Sequence, residues 1–409
     1  MIDPRRAAVT LTAVTTLLAV AIPNAARAAP DLVLVGGTIY PNPDAAPLLD
    51  GVIVVERGRI VAVGGRDAVP VPAAARKIDC AGAVIVAGFQ NSHVHFTEDH
   101  WTDAARQPAA KLTEHLQAML TRYGFTQAVD TGSYLSNTAA LRRRIERGEV
   151  AGPRILTSGT GLFPPDGVPF YLKESLPEGI WKRLPQPRSA DEATRVVQAT
   201  LRGGADLIKV FTGTSIERGK VLPMPEPIAV AAVAAAHAAG KPVFCHPSDL
   251  AGLEVALSAK VDVLAHAIED PRGMTPEHLQ RMKAQNMALI PTLALLSTKG
   301  NPAAILDGVR AYGRLGGQIL FGTDVGWLTD YDPTREYVLM GTAGLSWREI
   351  LATLTTAPAQ RFGEDRRRGR IAPGMDADLV VLSKDPVEDV RAFSDVRITI
   401  RAGRVIYAR

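Results

Sequence analysis

The chain is short of cysteine, of excess charge and of long apolar runs. Two cysteines, Cys80 and Cys245, stand among 409 residues. Two thiols exclude a disulfide-dense scaffold. In an exported protein such a pair invites one bridge. Cys245, however, sits inside the strand-like run Pro242-Val243-Phe244-Cys245 and Cys80 lies far upstream. Two buried free thiols are therefore expected. The formal net charge is only +4, and no Lys/Arg run exceeds Arg366-Arg367-Arg368. That balance argues against nucleic acid, and the arginine run reads as a solvated turn. No internal repeat of solenoid period is present.

The one apolar run of note is N-terminal. Arg5 and Arg6 precede the uncharged stretch Ala7 to Ile22, and Ala26-Arg27-Ala28 fits a small-residue cleavage site before Ala29. Residues 1–28 read as an export signal. The stretch is short and diluted by threonine, which disfavours a permanent membrane anchor. The expected location is periplasmic or secreted, with no membrane partner once the signal is removed. Arg5-Arg6 also allows a twin-arginine route, which the flanking residues support poorly.

With 46% hydrophobic residues, the remainder is long enough for one large domain or several small ones. Residues 29–86 read as β structure, with a hairpin turning at Arg57-Gly58. Residues 366–409 have the same texture and turn at Ala402-Gly403. Between them, in residues 87–365, short apolar strands alternate with helices. Starting with the apolar run before His93, eight such strands can be counted. The fold expected is α/β: a (β/α)8 TIM barrel with a small β-sandwich built from both termini.

The polar residues that end these strands carry the chemistry. His93 and His95 close strand 1. Lys209 lies in strand 4, His246 follows strand 5, His266 follows strand 6 and Asp324 follows strand 8. Residues two apart on a strand share a face, and all C-terminal strand ends of a barrel meet at one mouth. Each residue has a plainer use: a buried histidine for His246, a loop cap for His266, an N-cap for Asp324. Arrival of all six at one place points instead to a metal site. Lys209 shares a strand face with Leu207 and Phe211, opposite Ile208 and Val210, so it points inward, where a cation is costly. A Schiff-base lysine, a salt-bridged lysine and a lysine carbamylated by CO2 compete. Four nearby imidazoles favour the third.

These motifs resemble the amidohydrolase superfamily, metal-dependent hydrolases on a (β/α)8 barrel. The resemblance rests on Gly88-Phe89 leading to His93-Val94-His95, Gly124-Phe-Thr-Gln-Ala-Val-Asp-Thr-Gly132, Ile208-Lys209, Gly322-Thr-Asp324 and Ile371-Ala-Pro-Gly-Met-Asp-Ala-Asp-Leu-Val380. Within it the chain is most similar to the imidazolonepropionase-like group, which includes Xaa-Pro dipeptidases. The resemblance implies two divalent metal ions, with zinc suited to imidazole ligands. His93, His95 and Asp324 would hold one ion, and His246 and His266 the other. Carbamylated Lys209 and a hydroxide would bridge them, and Asp324 would be the catalytic proton shuttle. Mononuclear deaminases of the superfamily carry Glu three residues after the strand-5 His; here that residue is Asp249. The expected substrate is a small molecule with an amide or peptide bond. Phe163, Tyr171 and Trp327 are candidates for its apolar wall, with the packing of a long loop as the alternative, and Thr212 is a further contact. Ester, lactone or phosphotriester hydrolysis, and binding without turnover on a decayed scaffold, are the rival readings. His100 is expected at the surface near the mouth; His115, His237 and His278 are expected to face solvent. Oligomeric state is left open, a homo-oligomer included.

Overall fold

The computed structural model describes residues 31–297 and 301–409. The expected export signal, residues 1–28, lies outside them. No helix of the described residues is long and apolar enough to cross a membrane.

The N-terminal segment supplies β1 (Leu32–Ile39), β2 (Leu48–Glu56), β3 (Arg59–Gly65), β4 (Arg76–Asp79) and β5 (Val84–Ala87). The middle of the chain supplies β6 (Phe89–Val94), β7 (Phe125–Asp130), β8 (Arg154–Thr157), β9 (Ile208–Phe211), the hairpin β10 (Gly213–Glu217) and β11 (Lys220–Pro223), then β12 (Val243–His246), β13 (Val263–Leu264) and β14 (Ala288–Leu289). The C-terminus adds β15 (Leu379–Leu382), β16 (Val396–Arg401) and β17 (Arg404–Ala408).

Both ends of the chain enter one eight-stranded sheet, ordered β17-β16-β15-β5-β1-β2-β3 with β4 also on β1. The seam is β5 against β15, antiparallel, with Val381 opposite Ile85. Residues alternate across it. Leu32, Leu34, Ile53, Val55, Ile85, Val381 and Ile400 pack on one face. Val33, Val52 and Val54 pack on the other, under Val69 and Ala75. The expected hairpin turns form at Arg57-Gly58 and Ala402-Gly403, each with two consecutive positive φ values, as two-residue turns between twisted strands require.

The middle of the chain forms two parallel arcs, β6-β7-β8 and β9-β12-β13-β14. Val129, Leu156, Leu207, Phe244, Val263, Ile290 and Leu320 from both arcs form one apolar cluster. Ile208, Val210, Val243 and Cys245 face the other way and join the cluster that holds the helices. Strands apolar on both faces suit a parallel sheet between helices.

Three expectations change. The apolar run Ala83–Ala87 does not carry the histidines, since β5 belongs to the terminal sheet. The chain crosses at Gly88, where a Cβ would lie 2.3 Å from the Thr126 hydroxyl, and β6 then delivers His93. The expected eighth strand, Gln318–Phe321, forms no ladder: it meets β14 through the isolated bridge Leu289–Ile319, and its Phe321 carbonyl accepts from the Ser92 N–H of β6 at 2.7 Å. Glycines at 316, 317 and 322 leave it little length for a ladder, and the arcs do not join as one continuous ladder. Finally, Arg368 is not solvated. It is buried and bonded to Asp376 at 3.0 Å, with Asp378 at 3.4 Å and Gln127 at 3.3 Å. This ties the terminal sheet to β7.

Local signals hold elsewhere. Ser189 caps Ala190–Arg202, accepting from the Glu192 N–H at 3.2 Å. Asn137, a residue type suited to capping, does not begin a helix. Leu135–Glu146 starts before it, and its amide instead joins the Trp101 carbonyl and Ala104 N–H. Both cysteines are buried and free. Burial pushes the Cys80 thiol up to about 11 and Cys245 up to about 12, so both stay protonated at neutral pH.

Candidate metal centre

His93 closes β6 from within, and His95 follows it on the same side. Asp324 reaches them through a backbone graft. The Asp324 N–H donates to the His93 carbonyl at 2.9 Å and the His95 N–H to the Val325 carbonyl at 2.8 Å. Asp324 itself is left-handed, φ 61°. It does not cap a helix; its carboxylate turns onto the two imidazoles. Gly322 and Gly326 allow the approach. A Cβ on Gly322 would sit 2.8 Å from the His93 Cβ, and one on Gly326 would sit 1.9 Å from the His95 carbonyl oxygen.

The result is a small triangle of ligand atoms. His93 Nε2 lies 3.2 Å from His95 Nε2. Asp324 Oδ1 lies 3.1 Å from the first and 2.9 Å from the second. Among the described residues, these three form the set of His, Cys, Asp and Glu ligand atoms close enough to hold one ion. The protonation pattern decides what belongs there. His93 Nδ1 lies 2.8 Å from the Ala265 carbonyl, so Nδ1 carries the proton and Nε2 presents a lone pair. Burial, opposed by Asp324, lowers the His93 pKa to about 4 and keeps the ring neutral. Asp324 Oδ1 is buried without a hydrogen-bond donor. Burial resists its ionisation, yet His93 and His95 together hold it well below the ordinary carboxylate range. The His93 Nε2 and Asp324 Oδ1 lone pairs, 3.1 Å apart, would be satisfied together by a cation between them. The triangle's edges match those spanned by bonds of about 2.0–2.1 Å at roughly right angles. The donor set fits a divalent ion.

His246 and His266 stand beside this triangle. The His266 ring centre lies 4.6 Å from those of both His93 and His246. Each ring has one nitrogen engaged by the protein. His266 Nδ1 meets the Thr292 hydroxyl at 2.9 Å, and His246 Nε2 meets the Glu269 carboxylate at 3.4 Å. Metal-binding histidines are commonly steadied this way through the nitrogen that does not bind. Burial lowers the pKa of both rings, His266 strongly. Lys209 is 2% exposed. Burial lowers its pKa to about 8, with Asp324 pulling the other way. Its charge acts on His93, His246 and His266. The ammonium also lies over the Phe211 ring, 5.6 Å from its centre.

The expected substrate residues divide. Phe163 is buried and stacks on Phe211 with centres 4.3 Å apart, and Phe211 stacks on His246 at 5.0 Å. Phe163 therefore packs the loop through Phe211. Tyr171 leans on Trp327 at 5.0 Å, and Trp327 is 40% exposed. Burial, with the charges of Glu269 and Asp324 adding to it, raises the Tyr171 pKa. Thr212 is buried, its hydroxyl 3.4 Å from the His246 carbonyl. Asp249 caps the helix Leu250–Ala259, accepting from Gly252 at 2.9 Å, which accounts for Asp at that place. His100 and His115 do not face solvent freely: their rings stack 4.4 Å apart beside Trp101. His278 is half-buried, 3.1 Å from Glu254. His237 is exposed as expected and bonds Asp262 at 2.8 Å.

Sequence reading missed Asp130, Glu269 and Thr292. Asp130 ends β7 and accepts from Ser133, Thr138 and Thr157 hydroxyls at 2.6, 2.9 and 2.8 Å. Burial raises its pKa, against these donors and His95. Its strand-end place before Thr131-Gly132 was a signal; its hydroxyl partners are scattered in the chain. A cavity of about 610 Å³ lies at the other ends of the strands, between Arg154, Asp206, Lys241 and Asp262, away from the histidines.

The amidohydrolase family model matches residues 84–406. A solved Xaa-Pro dipeptidase with bound methionine in its active site superposes with a TM-score of 0.79 at 20% identity, covering 92% of this chain and 100% of its own. A putative prolidase from Bifidobacterium longum gives 0.76 at 25% identity, covering 93% and 95%. Ochratoxinase of Aspergillus niger is 23% identical over 89% of this chain and 83% of its own. A 5-methylthioadenosine/S-adenosylhomocysteine deaminase of Symbiobacterium thermophilum is 45% identical, but over only 16% of this chain and 15% of the deaminase. The solved relatives share a TIM-barrel-like α/β fold. From the family match and the ligand set at the strand ends, the chain belongs to the amidohydrolase family and is a hydrolase of carbon–nitrogen bonds.

Proposed function

We propose that the chain is an exported, binuclear metal-dependent amidohydrolase that cleaves an amide or peptide bond of a small substrate, a dipeptide such as Xaa-Pro or an N-acyl amino acid. The observation that carries this reading is the triangle of His93 Nε2, His95 Nε2 and Asp324 Oδ1, three potential ligand atoms within 3.2 Å of one another, with His93 and Asp324 buried and His95 half-buried. In this reading these residues would hold one ion and His246 and His266 a second, with Lys209, carbamylated by CO2, as a further ligand. Zinc suits this imidazole-rich set. Two divalent ions supply Lewis acidity, polarising the scissile carbonyl and lowering the pKa of a water molecule. The chain does the rest. Asp324, held ionised, takes the proton of the attacking water and returns it to the leaving amine. Tyr171, Trp327 and Thr212 border the substrate, with Phe163 behind Phe211. In the same reading the two arcs close as a (β/α)8 ring, and the terminal sheet folds as a sandwich against it. Names of relatives support the substrate class: a dipeptidase and ochratoxinase.

Elemental analysis of the purified protein, then rates on dipeptides, N-acyl amino acids, a lactone and a phosphotriester, tests the proposal. Two zinc ions per chain and turnover of amides are expected. Asp324→Asn should lower that turnover by roughly 10²- to 10⁴-fold. Turnover confined to the lactone or phosphotriester would transfer the site to that chemistry, and binding without turnover on any of them would leave only a scaffold.

A further inference from the structure

Thr292 stands in a conformation that its residue type disfavours. It is a fully buried β-branched residue with φ 45° and ψ 50°, in the left-handed region where such residues are rare. Strain of this kind persists where the surroundings over-determine it. Three restraints surround it. The Ile290 N–H donates to the Leu264 carbonyl at 2.8 Å. The Ala267 N–H donates to the Pro291 carbonyl at 3.3 Å. Beyond Thr292, the N–H groups of Leu293 and Ala294 both donate to one carboxylate, Glu336, at 2.9 and 2.7 Å.

Glu336 comes from the helix Thr334–Thr342 and is 1% exposed. No cation is paired with it among the described residues. A buried carboxylate is costly unless its oxygens are satisfied. Here one oxygen takes each amide, which fixes the peptide planes that follow Thr292. The strained residue then presents its hydroxyl to His266 Nδ1 at 2.9 Å. A hydroxyl accepting there keeps the proton on Nδ1 and leaves the Nε2 lone pair toward the metal site.

We infer that Glu336 is a positioning residue that sets the tautomer and orientation of His266 through Thr292, and thereby governs how tightly the second metal position is held. The inference rests on the binuclear reading above. A plain helix anchor would secure the short helix Leu293–Leu296 without needing a strained Thr292 or its bond to a metal-site imidazole.

The test uses the full chain labelled with ¹⁵N-histidine. Its eight histidines give few enough signals to assign, with His266→Asn marking one. In the metal-free wild type, His266 should carry its proton on Nδ1. Glu336→Gln keeps the shape but sets an NH₂ against one of the two amides. It should mix the His266 tautomers and weaken binding of the second zinc equivalent by about 10- to 100-fold, leaving the first unchanged. Thr292→Val, which leaves Glu336 in place, should do the same, and it carries the test if Glu336→Gln does not fold. Thr292→Ser should keep both properties. Wild-type tautomer and wild-type second-equivalent affinity in Glu336→Gln or Thr292→Val overturn the inference. A wild type that takes only one equivalent overturns the binuclear reading instead, and the tautomer readout still decides the relay.

Discussion

Carbamylation of Lys209 is open to a quantitative test, because the reaction selects the neutral amine. CO2 adds to an unprotonated nitrogen; the new N–C bond forms as one proton leaves, giving a carbamate anion. Burial brings the Lys209 pKa from 10.5 to about 8. At pH 7 about one such amine in ten is neutral, against about one in three thousand for an ordinary lysine. The site therefore raises the reactive fraction about 300-fold before any metal binds. Metal-stripped enzyme should regain activity on adding zinc at a rate that rises with bicarbonate. Below pH 8 that rate should also rise about tenfold per pH unit at fixed dissolved CO2. With ¹³C-bicarbonate, the reconstituted protein should show one carbamate carbon signal, absent in Lys209→Ala. Short carboxylates should partly restore activity to that variant by standing in for the missing bridge. Full activity in Lys209→Ala, or reconstitution indifferent to bicarbonate with no carbamate signal, would refute the reasoning.

Two predictions concern the frame around the site. A Cβ at Gly326, where φ is +94°, would meet the His95 carbonyl oxygen at 1.9 Å. Gly326→Ala should cost at least about 2 kcal/mol, from left-handed strain together with overlap against backbone. Thermal denaturation should show a clear fall in Tm, and an unchanged Tm would mean that the approach is looser than described. Burial pushes the Glu336 carboxyl up to about 7, against the donation from Ala294 and Leu293. The folded state thus binds this proton more tightly than the unfolded chain, whose value is near 4.5. The stabilisation is fully present below pH 4.5 and is lost as pH rises to about 7, amounting to about 3 kcal/mol. In chelator, denaturant titrations at pH 5 and pH 8 should show the wild type losing more stability than Glu336→Gln over that interval. Equal losses would place the carboxyl's pKa near its ordinary value.

The parts of this molecule that could be read from sequence are those encoded by local period and local punctuation. Alternating strands and the glycine turns at 58 and 403 depend on a few adjacent residues, and they lie where the sequence places them. The candidate ligands were legible for a related reason: each stands at or just after a short strand, and parallel topology turns that sequence position into a shared location. What escaped depends on long-range closure. The run Ala83–Ala87 looks like a barrel strand because its pattern is apolar. Only its pairing with Leu379–Leu382, almost three hundred residues away, assigns it to the terminal sheet. Arg368 looks solvated in Arg366-Arg367-Arg368 because its three acidic or amide partners come from other parts of the chain. Glu269 gave a faint signal, three residues after His266, but its meaning depends on facing His246 from another strand. The same distinction separates the two layers of the site. The ligands sit at strand ends and obey a rule of topology. Glu336 and Thr292 act through contacts that follow no spacing, because only Thr292 has to arrive at the ring's second nitrogen and Glu336 only at the amides that follow it. Substitutions at this outer layer are therefore where chains with the same ligand set can differ in metal affinity.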